Sequence, residues 1–93
     1  MSGAIRRVTI RGRVQGVGYR GWMVRQAERL GVAGWVRNRR DGTLEALVDG
    51  DVAAVEELLR LCRRGPPLAQ VSEIIEELAE PSGDPGFGRM PTV

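Results

Sequence analysis

The sequence predicts an α+β fold, in which helices pack on an antiparallel sheet. Three observations carry that expectation. Residues 5–14 alternate apolar and polar, two later stretches repeat apolar residues at helical spacing, and an Asp-Gly pair separates two short strand-like runs. The 93 residues, 42% of them hydrophobic, suffice for one small core, and a single domain is expected over residues 1–93.

The elements follow in chain order. Residues 5–14 set Val8, Ile10, Gly12 and Val14 on one side and Arg7, Thr9, Arg11 and Arg13 on the other, the pattern of a half-buried strand. Residues 20–30 read as a helix with a Met23, Ala27, Leu30 stripe, Trp22 beside it, and Gly31 as a left-handed stop. Two strands are expected at 34–39 and 43–49, with Val36, Leu44, Ala46 and Val48 apolar and Arg39-Arg40-Asp41-Gly42 between them. Asp51 is a good N-cap for a helix over 52–64, whose stripe is Val52, Val55, Leu59 and Cys62. Glu56 and Glu57 sit early in it and Arg63 and Arg64 late, in keeping with the macrodipole, and Gly65-Pro66-Pro67 ends it.

Residues 68–79 fit two forms. Leu68, Val71, Ile75 and Leu78 have helical spacing, while 71–75 suit a bulged strand, and periodicity alone slightly favours the helix. As a strand, the segment completes a β-α-β-β-α-β order, the split βαβ or ferredoxin-like plan. As a helix, it leaves three strands and three helices. Residues 81–86 read as a turn-rich loop. Phe87 is placed to anchor a short last strand, which Pro91 shortens or confines to a sheet edge.

Composition removes several chemistries. There is no histidine, hence no Ser-His or Cys-His nucleophile and no His-bound zinc. Every basic residue is arginine, so Schiff-base and P-loop lysines are absent. Cys62 is alone among leucines, which points to packing. The apolar runs are too short to span a bilayer, and Arg6, Arg7, Arg11 and Arg13 interrupt any leader-like start, so a cytoplasmic protein without a membrane span is expected. Residues 1–40 carry ten arginines and one acid, whereas 41–93 carry four arginines and eleven acids. This imbalance suits an anionic substrate or, equally, halves that interleave in space.

The most informative stretch is Gly12-Arg13-Val14-Gln15-Gly16-Val17-Gly18-Tyr19-Arg20, at the first strand-to-helix join. A Gly-rich turn there aims several backbone N–H groups at one point, and the helix dipole favours an anion. Arg20 adds a planar fork matched to phosphate oxygens. An arginine at a helix start has little structural reason, since the dipole disfavours cations there. Residues 16–21 also match the dinucleotide pattern G-x-G-x-x-G, with Asp41 some twenty residues on. A helix, a hairpin and a short chain are the wrong context for a doubly wound sheet, so that reading is set aside.

The chain resembles the acylphosphatase family. The resemblance runs from residue 5 to about 75 and rests on Gly12–Arg20, on Gly34-Trp35-Val36-Arg37-Asn38 followed by Asp41-Gly42-Thr43-Leu44-Glu45, and on the Gly65–Val71 connection. It implies the ferredoxin-like fold and makes 68–79 a strand. It also implies hydrolysis of acyl phosphates to carboxylate and inorganic phosphate. In that reading Arg20 binds the phosphoryl group, Asn38 orients the attacking water, and the backbone amides of Gln15, Gly16, Val17, Gly18 and Tyr19 complete the phosphate site. The chemistry suits the inventory, because a carboxylate leaving group has a conjugate-acid pKa of roughly 4 and departs without a general acid. No metal or cofactor is implied. The expected partner is a small-molecule acyl phosphate, with inorganic phosphate or sulfate competing, and a monomer is expected.

Asn38 by itself reads as a strand-end residue, so its role comes only through the resemblance. Tyr19, Trp22 and Trp35 read as packing residues, and Arg37, Arg39 and Arg40 as a solvated charged edge. Glu45 and Asp49 read as outward strand positions. Two alternatives stand beside the enzyme: a non-catalytic acyl or carbamoyl-phosphate binder, and an RNA-binding ferredoxin-like module. The RNA reading is disfavoured, because four aromatic residues fall in no RNP pattern. The run Gly86-Phe87-Gly88-Arg89-Met90-Pro91 departs from the family's regular last strand, and Gly21 is a less rigid helix start than the motif leads one to expect.

Overall fold

A computed structural model describes residues 3–81, 83 and 85–93. Its elements are β1 (Gly3–Arg13), α1 (Tyr19–Leu30), β2 (Ala33–Asn38), β3 (Leu44–Asp51), α2 (Val52–Cys62), β4 (Gln70–Leu78) and β5 (Phe87–Arg89). One sheet runs in the order β4-β1-β3-β2-β5. The first four strands pair antiparallel, while β5 joins β2 in parallel, so the sheet expected to be antiparallel becomes mixed at one edge. Parallel pairing follows from topology, since β5 returns along β2 after the long passage through β4. The expected 81–86 loop includes Ser82 and Asp84, which lie outside the described residues.

The two layers follow from strand alternation. Val8 and Ile10 of β1, Val36 of β2, and Leu44, Ala46 and Val48 of β3 are fully buried on one face. Met23 and Ala27 of α1, and Val55, Leu58, Leu59 and Cys62 of α2, close over them. Burying each large side chain contributes about 1.5–3 kcal/mol. α1 lies over β2 and β5, α2 over β3 and β1, and the helices touch each other. Gly31 ends α1 at φ 73°, and the Asp51 carboxylate caps α2 by accepting from Ala53 N at 3.2 Å. Among the described residues, no helix is long and apolar enough to cross a membrane.

Residues 70–78 form a strand. β4 pairs with β1 from Arg6 opposite Leu78 to Arg13 opposite Gln70. At the Arg11/Gly12 step the register slips, leaving Ser72 as the extra residue of a bulge. Gly12 is required there, because a side chain would begin 2.1 Å from Gln70 O. The bulge lets Val71 and Ile74, three residues apart, both pack on the core, a spacing that alternation alone never produces. The supposed helical stripe is mostly solvated, with Leu68 72% and Leu78 83% exposed.

The sheet face away from the helices is not a row of free charges. Glu45 of β3 is only 4% exposed. It accepts from Arg37 Nε at 2.8 Å and Arg39 Nη1 at 3.2 Å, and Arg7 Nε stands 3.7 Å away. Arg37 also lies 4.7 Å from the Trp35 ring centroid. Arg37 and Arg39 therefore gather on one buried carboxylate, where a solvated edge was expected. Opposite strand neighbours at 37 and 45 bring them together.

Candidate active site

The loop between β1 and α1 takes its shape from two left-handed glycines, Gly16 at φ 74° and Gly18 at φ 78°. A side chain at either would be strained, so Gly is needed for the turn. Gly18 is the N-cap of α1 and makes no side-chain cap bond. The amides of residues 15–21 donate to no acceptor among the described residues; the first helical bond runs from Trp22 N to Gly18 O at 3.1 Å. A run of unpaired donors beside a helix N-terminus forms an anion-binding concavity.

Tyr19 fixes this loop from below. It is 1% exposed, its hydroxyl donates to Cys62 O, and its ring meets Trp22 edge-on at 5.3 Å. Gly65 lies so close that a side chain there would begin 2.6 Å from the Tyr19 ring. Burial pushes the Tyr19 phenol far above its ordinary pKa, so it stays a neutral donor. Burial also pushes the Cys62 thiol up to about 12, consistent with a packing residue.

Asn38 ends β2, two residues beyond the buried Val36, so alternation directs it to the helix-bearing side of the sheet. Its backbone is held by the C-terminal tail: Val93 N donates to Asn38 O at 3.1 Å, and Met90 N to Val36 O at 2.9 Å. The hairpin loop that follows is closed by Asp41, whose Oδ1 accepts from Thr43 Oγ1 at 2.7 Å and Thr43 N at 3.0 Å. Those bonds hold the Asp41 carboxyl below its usual range.

A cleft of about 300 Å³ opens between the loop, the start of α1 and the ends of β2 and β5. Gly16, Gly18, Tyr19, Arg20 and Asn38 line it, together with Val14, Gly21, Arg25 and Arg89. Of the seven residues singled out from sequence, five thus meet in one cavity. Gln15 and Val17 do not line it. Val17 packs against the core, and the Gln15 carboxamide donates to Arg39 O at 2.7 Å and Thr43 O at 2.9 Å. Gln15 thereby ties the loop to the hairpin that follows Asn38.

Arg25 and Arg89 were not found by sequence reasoning. Arg25 had a local signal, lying one helical turn beyond Gly21. Arg89 had none, because the parallel pairing of Val36 with Arg89 joins positions far apart in the chain. Among the described residues, no group of three or more His, Cys, Asp or Glu is arranged to hold a metal.

The fold and the cleft define a small α+β protein built to receive a compact oxyanion at a strand-to-helix turn. The family model described as Acylphosphatase matches residues 6–88. An acylphosphatase of Acidiphilium cryptum is 69% identical over 81 residues, covering 87% of this chain and 89% of that one. Two solved structures superpose on it. The acylphosphatase from Bacillus subtilis has a TM-score of 0.88 at 32% identity, covering 92% of this chain and 97% of its own. The acylphosphatase from Coxiella burnetii has a TM-score of 0.90 at 31% identity, covering 95% and 93%. The chain belongs to the acylphosphatase family of hydrolases.

Proposed function

We propose that the chain hydrolyses the carboxyl-phosphate bond of acyl phosphates by direct attack of water on phosphorus. The observation that carries this reading is the meeting of acceptor-free loop amides, Arg20 and Asn38 in one cleft. The amides of Gly16, Gly18 and Tyr19 and the Arg20 guanidinium hold the phosphoryl oxygens and the charge that builds on them. The Asn38 carboxamide holds a water on the face of phosphorus opposite the acyl oxygen. The water oxygen bonds to phosphorus as the bond to the acyl oxygen breaks. The carboxylate leaves with the electron pair, and the water's proton passes to a phosphate oxygen. Such a transition state needs positioning and charge stabilisation more than covalent help. The proposed route uses no metal and no cofactor, and it needs only one copy of the chain.

The test is phosphate release from acetyl phosphate with and without a chelator. The wild type should release phosphate equally in both. Arg20→Ala should nearly abolish turnover, and Asn38→Ala should lower kcat by roughly 10²–10³, the scale of losing one pre-organised group. Inorganic phosphate should compete and shift the amide resonances of residues 15–20. Full activity in both variants refutes the residue assignment. Phosphate binding without any hydrolysis would make the chain a binder.

A further inference from the structure

The cleft holds two cations that the hydrolytic proposal leaves unused. Arg25 and Arg89 line it beside Arg20, and no acidic residue does. They come from different elements, α1 and β5. Phe87 is buried in the core, so alternation puts Arg89 on the same helix-facing side, alongside Val36 and short of Asn38. Their terminal nitrogens flank Gly21. A side chain there would begin 3.5 Å from Arg25 Nη1 and 3.9 Å from Arg89 Nη1, so the two nitrogens lie no more than about 7 Å apart. Neither arginine is ion-paired to a carboxylate among the described residues, although Arg7, Arg11, Arg37, Arg39, Arg60 and Arg63 are.

Two like charges held this close repel each other, and an anion between them relieves the repulsion. Guanidinium forks take carboxylate oxygens in pairs. The phosphoryl group already has its own ligands in the loop amides and Arg20. What remains of the substrate is the acyl chain.

We propose that Arg25 and Arg89 form an acyl-side subsite for a second anion, so that the enzyme prefers acyl phosphates whose acyl chain ends in a carboxylate. The inference rests on the hydrolytic reading of the same cleft.

The test compares glutaryl phosphate with valeryl phosphate, which differ only by a carboxylate for a methyl at the chain end, after subtracting spontaneous hydrolysis. Wild type should favour glutaryl phosphate by about tenfold in kcat/KM, the scale of one charge-assisted bidentate contact. Arg25→Gln and Arg89→Gln should each cut that ratio severalfold, chiefly through KM for glutaryl phosphate, and the double variant should bring it close to one. A wild-type ratio near one, or a ratio that the variants leave unmoved, overturns the subsite while hydrolysis of both substrates still supports the parent reading. Failure of wild type to hydrolyse either substrate overturns the parent reading itself. Valeryl phosphate turnover in each variant reports an intact fold independently of the ratio.

Discussion

Gln15 is the sharpest place to test how the two halves of the cleft are held together. Its carboxamide NH2 bonds two carbonyls, Arg39 O at 2.7 Å and Thr43 O at 2.9 Å, which border the hairpin loop just after Asn38. Only a donor end can face two carbonyls, so the amide's orientation is fixed. Gln15→Ala removes both bonds. Each is worth about 1 kcal/mol net. The carbonyls are not orphaned, because Arg39 O also accepts from Gly42 N at 3.1 Å and Thr43 O from Arg39 N at 2.8 Å. The expected loss is therefore roughly 1–2 kcal/mol, a fall of some 5–10 °C in Tm for a chain of this size. Turnover should fall by at least tenfold, because an error of about 1 Å in placing a reacting group can cost 10²-fold. Gln15→Glu keeps the shape but aims a carboxylate at two carbonyl oxygens. It should be worse than Gln15→Ala at pH 8 and recover partly near pH 4–5, where the protonated acid can donate one bond. Urea melts and acetyl phosphate turnover read both effects. Wild-type behaviour of Gln15→Ala, or a Gln15→Glu variant no worse than Gln15→Ala, refutes the tether.

Two further predictions concern stability. The folded-state pKa values of Cys62 and Tyr19 both lie above their unfolded values, so their contribution is whole below about pH 9 and drains away as pH rises. The unfolding free energy from urea melts should be level from pH 6 to 8, begin to fall near pH 9 and approach a slope of about 1.4 kcal/mol per pH unit above it, more steeply once tyrosine enters above pH 10; a flat profile to pH 11 refutes the coupling. Gly21→Ala should raise stability by about 0.5–1 kcal/mol, since a side chain there meets ordinary contacts of 3.5 Å or more in a helix that glycine weakens. A destabilised variant in chemical denaturation would show that the glycine serves the backbone instead.

Local chemistry made most of the fold legible. The β1 alternation, the Asp51 cap, the Gly31 stop and the Asp41-Gly42 hairpin each act within a few residues, and each stands in the structure near the expected place. What escaped was set by pairing across the chain. The bulge at Ser72 displaced the alternation of β4, and only its partner Gly12, sixty residues earlier, reveals why. Composition could not say that the Gln15 side chain would reach the 39–43 loop, nor that Glu45 would be buried under three arginines. The motif residues of the cleft were visible because one turn gathers four of the five, Gly16, Gly18, Tyr19 and Arg20, within five residues. Arg89 was invisible because a parallel edge strand delivers it.

The same distinction explains the uneven charge along the chain. The arginines of the first forty residues do not form one positive surface. Arg7, Arg37 and Arg39 meet Glu45, and Arg11 meets Glu73, because β1 lies between β4 and β3 and β2 covers the other side of β3, which places basic strands beside acidic ones. Interleaving therefore neutralises much of the sheet face turned away from the helices. It does not do so in the cleft, where Arg20 and Arg25 from the basic half are joined by Arg89 from the acidic half, with no acid in the lining. A cavity that keeps three guanidinium groups and a run of free amides, with no acid in its lining, holds its positive potential where an anion would enter. Salt should weaken that attraction, so kcat/KM should fall with ionic strength more steeply than kcat. An equal fall in both would place the charge effect in the bound state and not in capture.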